Sequence, residues 1–289
     1  MVKAETITSA ANPLLKDVRR AISRGALTEQ GWCVAETFHL LAEALRSDCE
    51  IKTVLASESA LAAVEAHVRR LPLKHLPVKI VTLPDALFAG VASTETSQGV
   101  IALVKPRPWN MPQLFSPATL LVVLDGLQDP GNAGTIVRAV EAFGGTGILF
   151  LTGTVSPYNP KTLRASAGSL FRVPFLHGVN AGQAGTLLQQ HKIELFAGVA
   201  AGVLAGVPAG VPAASRNPVT KNPARPLTQV DLTPGCALIV GNEAHGVSGA
   251  LRARAIDVTI PTVGVESLNA AMAASIMLYE ARRQRMLPA

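Results

Sequence analysis

Residues 121–138, LVVLDGLQDPGNAGTIVR, decide the fold. The stretch opens inside the unbroken apolar run 120–124, the pattern of a strand buried on both faces. Asp125-Gly126 and Asp129-Pro130-Gly131 then break the chain. Beyond them the periodicity turns helical, with Ile136, Val137, Val140 and Phe143 on roughly one face. Asn132 is expected at the helix N-cap, and Arg138 almost two turns further on. A polar, glycine-bearing loop at the carboxyl end of a buried strand is where open α/β sheets bind ligands.

Two later stretches repeat this grammar. Residues 238–248, LIVGNEAHGVS, and 260–271, IPTVGVESLNAA, each follow an apolar strand with a polar turn. All three are expected to meet in one site. None is a GxGxxG or a P-loop, which argues against a dinucleotide oxidoreductase or an ATPase. A terminal helix is expected over 267–285, with Leu268, Ala271, Met272, Ser275, Ile276 and Tyr279 on its packed side.

Composition narrows the class. The 289 residues are 48% apolar, yet no uninterrupted apolar run reaches the roughly 20 residues of a spanning helix. The first residues, MVKAETITSAANP, lack the apolar core of a signal peptide, so a cytoplasmic protein without a membrane segment is expected. Cys33, Cys49 and Cys236 form no CxxC pair, and with only six histidines neither a metal site nor a disulfide framework is expected. The net charge of +6 points to a polyanionic partner. Its distribution agrees: Lys3, Lys16, Arg19, Arg20 and Arg24 lie near the start, and Arg282, Arg283 and Arg285 near the end. Aromatic residues make up only 4%, so phosphate contacts rather than a row of stacking rings are expected to supply affinity.

Along the chain, residues 6–24 read as a cap followed by a short basic helix, with Ser9 or Asn12 as the cap, Pro13 in the first turn, and Arg19 and Arg20 pointing away from the apolar face. Residues 31–104 alternate short strands with helices of about ten residues, a small α/β unit. The proline-rich segment around 105–112 is a natural linker. The expected division is a binding domain over 1–105, a linker over 106–117 and a second α/β domain over 118–289. That second domain contains a helix over 160–171 and an Ala/Gly/Pro-rich insert over 198–230. In the insert, Arg216, Lys221 and Arg225 are candidates for nucleic-acid contact.

DPGNAGTIVRAVEAFG, LIVGNEAHGVS and IPTVGVESLNAAMAASI, in this order, resemble the three motifs of SpoU-type (TrmH-like) RNA 2′-O-methyltransferases of the SPOUT superfamily. ITSAANPLLKDVRR, WCVAETFHLLAEAL and ASTETSQGVIALV resemble the ribosomal-protein-like substrate-binding domain that precedes many of them. One departure is Glu36-Thr37, where the family usually has Glu-Gly. The resemblance implies a parallel-sheet α/β domain with a deep trefoil knot, a homodimer, and S-adenosylmethionine held by backbone groups of Gly241, Ile260 and Leu268. It implies Arg138 as the chief catalytic residue, reaching the partner subunit's site, with Asn132, Glu243, Ser267 and Asn269 as further catalytic candidates. Gly241 would admit the cofactor to the backbone. Two roles are open to Arg138, general base or electrostatic clamp; a guanidinium that stays charged suits the second better. Asn132 would orient Arg138 or the RNA, Glu243 pair with Arg138 or a turn amide, and Ser267 cap the last helix or contact the target nucleotide. Ribosomal RNA, most simply 23S, is favoured over transfer RNA. A transfer RNA methyltransferase and a non-catalytic RNA-binding protein are the alternatives.

Overall fold

The computed structural model describes residues 5–70, 78–200, 223–265 and 267–286. It divides into two compact units: Met1–Pro108 with Ser156–Arg172, and Trp109–Val155 with Val173–Ala289.

The first unit carries β1 (Glu5–Thr6), α1 (Pro13–Arg24), β2 (Cys33–Glu36), α2 (Phe38–Arg46), β3 (Ile51–Ser57), α3 (Leu61–Arg70), β4 (Ile80–Leu83), α4 (Asp85–Ala89) and β5 (Val100–Val104). The strands form one mixed sheet in the order β1-β4-β3-β5-β2, with β5 antiparallel to both neighbours. Helix α1 starts as its sequence dictates. The Asn12 side chain accepts from Leu14 N, Pro13 occupies the first turn, and Gly25 closes the helix at φ +58°. Leu15, Val18 and Ala21 bury its inner face. The basic outer face is less free than expected. Arg19 donates to the carbonyls of Gly90 and Ala10, and Arg20 pairs with Glu29.

Thr37 caps α2, accepting from Leu40 N at 3.1 Å, with φ +133° and ψ 154°. That is backbone territory almost confined to glycine. The Glu-Thr departure therefore has a visible consequence, a strained cap.

The second unit holds β6 (Leu120–Asp125), α5 (Pro130–Ala142) and β7 (Gly147–Leu151). The expected helix over 160–171 stops early. Here α6 is Pro160–Ala165, after which Ala167 and Gly168 take φ +48° and +92° and a 3₁₀ turn follows. Residues 156–172 group with the first unit rather than with the domain in which the sequence placed them. Two carboxylates of the first unit, one buried and one half-buried, draw them there. Glu36, 1% exposed, accepts from Ser93 N and Thr94 Oγ1 and faces Arg164 at 3.6 Å, while Arg172 bonds Glu43 at 2.7 Å.

The second unit continues with β8 (Phe175–Val179), α7 (Ala181–Gln190), β9 (Glu194–Gly198), β10 (Arg225–Pro226), β11 (Cys236–Gly241), α8 (Gly249–Arg252), β12 (Ile256–Thr259) and α9 (Ala270–Met286). Its seven strands pair in parallel throughout, in the order β10-β12-β9-β11-β6-β7-β8. The opening run is central. Every residue of β6 is buried, with β11 on one side and β7 on the other. Leu121, Val123, Leu149, Ala237 and Ile239 pack with Leu188 and Leu251 on one face of the sheet. Full burial of such a side chain stabilises by about 2 kcal/mol. Of the insert, residues 201–222 lie outside the described residues, Arg216 and Lys221 among them. Arg225 sits on β10, paired with β12.

Helix α9 departs from expectation. Its buried side is Ala271, Ala274, Met277, Leu278 and Ala281, whereas Met272, Ile276 and Tyr279 are 56%, 36% and 56% exposed. This side lies against α5 and β11, and the helix's second apolar face is left outward. The basic C-terminus is also largely used internally. Arg283 pairs with Glu280, and Arg285 donates to the carbonyls of Ala118, Thr119, Leu232 and Pro234.

Candidate active site

Three loops leave the carboxyl ends of β6, β11 and β12 within the second unit. Strands β6 and β11 end side by side, Asp125 opposite Gly241. Gly126 turns the first loop at φ +79°, and Leu127 is buried as its anchor. Asp129, not Asn132, caps α5: its Oδ1 accepts from Asn132 N at 2.6 Å, and Pro130 fills the first turn. Asp129 takes the cap, three residues earlier, because Pro130, with no N–H of its own, suits the first helical position.

That leaves the Asn132 side chain free to join the three loops. Its Oδ1 accepts from Asn269 Nδ2 at 2.9 Å, and its Nδ2 lies 3.4 Å from Glu243 Oε1. Glu243 Oε2 in turn faces Gln128 N at 3.4 Å. Glu243 therefore meets a turn amide, and no contact joins it to Arg138 among the described residues. Arg138 lies six residues past Asn132, about 9 Å along α5. It is exposed, and no described residue hydrogen-bonds its guanidinium.

The second loop doubles back on its own strand. Asn242 and Gly246 exchange backbone hydrogen bonds at 3.0 and 2.8 Å. Asn242 Oδ1 accepts from Ala244 N and His245 N, and its Nδ2 donates to Gly126 O at 2.8 Å. A Cβ on Gly241 would lie 2.2 Å from Gly246 C and 2.3 Å from Val247 N. The close approach at Gly241 is thus made by the protein's own turn. Ser248 N donates to the buried Asp125 carboxylate at 2.7 Å, pinning the far end of the loop to β6.

In the third loop Thr262 Oγ1 donates to Val265 O, and Gly264 turns at φ +80°. Asn269 caps α9, accepting from Ala271 N and Met272 N at 2.9 and 3.2 Å. Ser267, one of the two roles open to it being that cap, stands exposed two residues earlier.

The second and third loops wall a cleft of about 610 Å³, in the range of cofactor sites. Gly241, Ile260 and Leu268 line it, as do Glu243, Ser267 and Asn269; Asn132 and Arg138 do not. Val258, Ile260, Leu268 and Met277 supply apolar surface, and strand-end backbone supplies polar groups. Arg252, a cation in the wall, is bidentate to the buried Asp257 at 3.0 and 2.5 Å. The lining suits a flat heteroaromatic ring with a polar, cationic tail that Glu243 would attract. Such a set fits S-adenosylmethionine. Among the described residues no group of three or more His, Cys, Asp or Glu could hold a metal.

Sequence reasoning missed Asn242, Gln128 and Asp125. Asn242 had a readable signal: an Asn at a strand end, followed by Gly four residues on, favours an Asx turn. The other two act through contacts distant in the chain and left no local trace.

The SpoU rRNA Methylase family matches residues 119–205 and 210–279, and an MRM3-like substrate binding domain matches 12–102. The 23S rRNA (guanosine(2553)-2'-O)-methyltransferase RlmP of Bacillus subtilis is 28% identical over 280 residues, covering 96% of this chain and 98% of that protein. An uncharacterized tRNA/rRNA methyltransferase of Synechocystis is 32% identical, with 97% and 94% covered. Among solved structures, an AdoMet-bound rRNA methyltransferase from Sinorhizobium meliloti superimposes with a TM-score of 0.73 at 26% identity over 99% of both chains.

Proposed function

This chain belongs to the SpoU rRNA methylase family, and from that premise we propose that it transfers the methyl group of S-adenosylmethionine to a ribose 2′-hydroxyl of ribosomal RNA. The observation carrying the proposal is the cleft walled by Gly241, Ile260, Leu268, Glu243, Ser267 and Asn269, wired through Asn132 to the loop that leads into Arg138. Preference for ribosomal over transfer RNA rests on the substrate-binding match over residues 12–102 and on the rRNA-acting relatives. Residues 1–105 grip the RNA, and 118–289 carry the chemistry, with 156–172 packed into the first unit.

When bound, S-adenosylmethionine supplies an electrophilic methyl on its sulfonium. The chain's own residues do the rest. Ile260 and Leu268 cover the adenine ring and exclude water from it. Backbone groups at Gly241 and around Leu268 orient the nucleoside part. Glu243 holds the Gln128 turn and draws the positive tail. The ribose 2′-hydroxyl would release its proton to solvent as its oxygen takes up the methyl group. Arg138 meets that developing negative charge, or the adjacent phosphate, with a guanidinium free to move. Asn132 and Asn269 tie the loop that leads into α5 to the loop before α9, which holds both loops in place.

The working unit is a homodimer in which Arg138 serves the partner's cleft. Support comes from the apolar face of α9, where Met272, Ile276 and Tyr279 stand exposed on successive turns, with exposed Val263 and Val265 in the third loop. Phe143, at the end of α5, meets Tyr279 edge-on at 5.9 Å, so this face continues onto the helix that bears Arg138. A trefoil knot belongs to the same reading, supported by β11 lying between β6 and β9 with β12 beyond β9. No helix among the described residues is long and apolar enough to cross a membrane, and action in the cytoplasm is proposed.

The test is transfer from methyl-labelled S-adenosylmethionine to purified ribosomal and transfer RNA, followed by nuclease digestion. Label resistant to alkaline cleavage is expected in ribosomal RNA, and Arg138→Ala should lower it at least 100-fold. Label confined to transfer RNA, or to a base, would overturn the assignment.

A further inference from the structure

Trp32 is one of two tryptophans in the chain, and two lysines attend its ring. Lys52 Nζ lies 5.5 Å from the ring centroid and Lys105 Nζ 5.8 Å. The sheet sets this up. Cys33 of β2 pairs with Val104 of β5, and Ile51 of β3 pairs with the same Val104. Trp32 precedes β2 and Lys105 follows β5 at this end of the sheet, and Lys52 is the second residue of β3. A register shift between Ile51 and Thr53 falls at Lys52 itself.

The ring is held on a rigid pedestal. Thr28 N donates to Trp32 O at 2.8 Å, Gly31 N to Thr28 O at 2.8 Å, and Trp32 N to Thr28 Oγ1 at 3.1 Å. Gly31 supplies the turn at φ +81°, with nothing within 4 Å of where a Cβ would point. Trp32 packs one side against the core of the unit and stays half-buried. The lysines are only loosely engaged. Lys105 faces Glu50 at 3.3 Å with both side chains about 60% exposed, and Lys52 reaches Gln30. Exposed pairs of this kind contribute little and exchange readily for a phosphate.

We propose that Trp32, Lys52 and Lys105 form a contact for an unpaired nucleotide of the substrate RNA. The base stacks on the accessible part of the Trp32 ring, and the ammonium groups swing onto the flanking phosphates. Single-stranded nucleic acid is the partner that uses both halves of this arrangement, an aromatic face and paired cations. An acidic peptide would use the lysines and leave the tryptophan unexplained. The inference deepens the RNA-methylation reading and rests on it for the identity of the partner.

Binding of a fluorescently labelled 12-nucleotide oligouridine by the full chain, measured by anisotropy across a salt series, tests the contact. Trp32→Leu keeps apolar bulk and removes the stacking ring; it should weaken binding by about 5- to 100-fold. Trp32→Phe should retain most of the affinity. Lys52→Ala with Lys105→Ala should lower the slope of log K against log salt by about 1.4, two phosphates at about 0.7 each. A wild-type circular dichroism spectrum and a cooperative thermal transition establish that each variant is folded. The double lysine variant touches no core residue, so it decides the matter even if Trp32→Leu fails to fold. Wild-type affinity and salt slope in these variants would overturn the contact, as would a lower melting temperature with RNA binding intact, or no RNA binding by the wild type. Tryptophan-dependent RNA binding by a protein that methylates no ribose would leave the contact standing and sink the functional reading instead.

Discussion

Replacing Gly241 by alanine should disable the cleft while leaving the fold in place. The new Cβ would meet Gly246 C at 2.2 Å, Val247 N at 2.3 Å and Gly246 O at 2.4 Å. All three are backbone atoms, so no side chain can swing aside. Relaxing the closest contact to an ordinary separation of about 3.4 Å requires the turn to lift by about 1.2 Å. The turn resists, because Asn242 holds it through the Gly246 ladder, the Ala244 and His245 amides and Gly126 O. Overpacking of this kind costs about 1–3 kcal/mol. A displacement near 1 Å in a binding wall costs on the order of 100-fold in function. Thermal unfolding with and without S-adenosylmethionine separates the two effects. At a ligand concentration 100 times the wild-type Kd, the wild type gains about 2.7 kcal/mol and the variant close to nothing, while the unliganded variant still melts cooperatively. A wild-type ligand shift in Gly241→Ala would refute the inference that the folded-back turn forms the cofactor wall.

Thr37→Gly should stabilise the protein by about 1 kcal/mol, because relief of the strain at φ +133° exceeds the lost cap and the greater entropy of an unfolded glycine; a lower urea midpoint would contradict this. Burial alone would raise the Glu43 pKa, but hydrogen bonds from Arg46 and Arg172 outweigh it and hold the carboxyl below its ordinary value. The stabilisation from Glu43 is therefore fully present above the ordinary carboxylate range and lost as pH falls through the lowered value. Glu43→Gln should flatten the acid limb of a stability–pH curve, and an unchanged limb would count against the pairing. Burial and the neighbouring Cys49 push the Cys33 thiol to about 12, and burial pushes Cys236 to about 11 against the pull of Arg285. Native protein should resist a thiol reagent at pH 8 that labels all three cysteines in denaturant; rapid native labelling would show that the core opens.

The buried strand β6, the helix after it and the two later loops were legible because each is encoded locally. An apolar run, a Pro-Gly break and a 3.6-residue period need no knowledge of the rest of the chain. The residues lining the cleft were read from motif resemblance, and Gly241, Ile260 and Leu268 do lie together. What escaped depends on partners distant in sequence. Asp129 displaced Asn132 at the cap, which freed Asn132 to bridge to Asn269, 137 residues away. The packed side of α9 differs from the sequence expectation because Ala274, Met277, Leu278 and Ala281 face inward while Met272, Ile276 and Tyr279 face out, and periodicity alone cannot rank two apolar faces. Residues 156–172 carried no composition signal that Glu36 and Glu43 would draw Arg164 and Arg172 into the first unit. The clustered arginines looked like free charge; Arg19 and Arg285 instead satisfy backbone carbonyls.

The most direct test of the central claim is a map of 2′-O-methylated riboses in RNA from cells with and without this protein. Loss of methylation at a ribosomal RNA nucleotide is expected, restored by the wild-type chain and not by Arg138→Ala. An unchanged map in the cells lacking it would contradict the account.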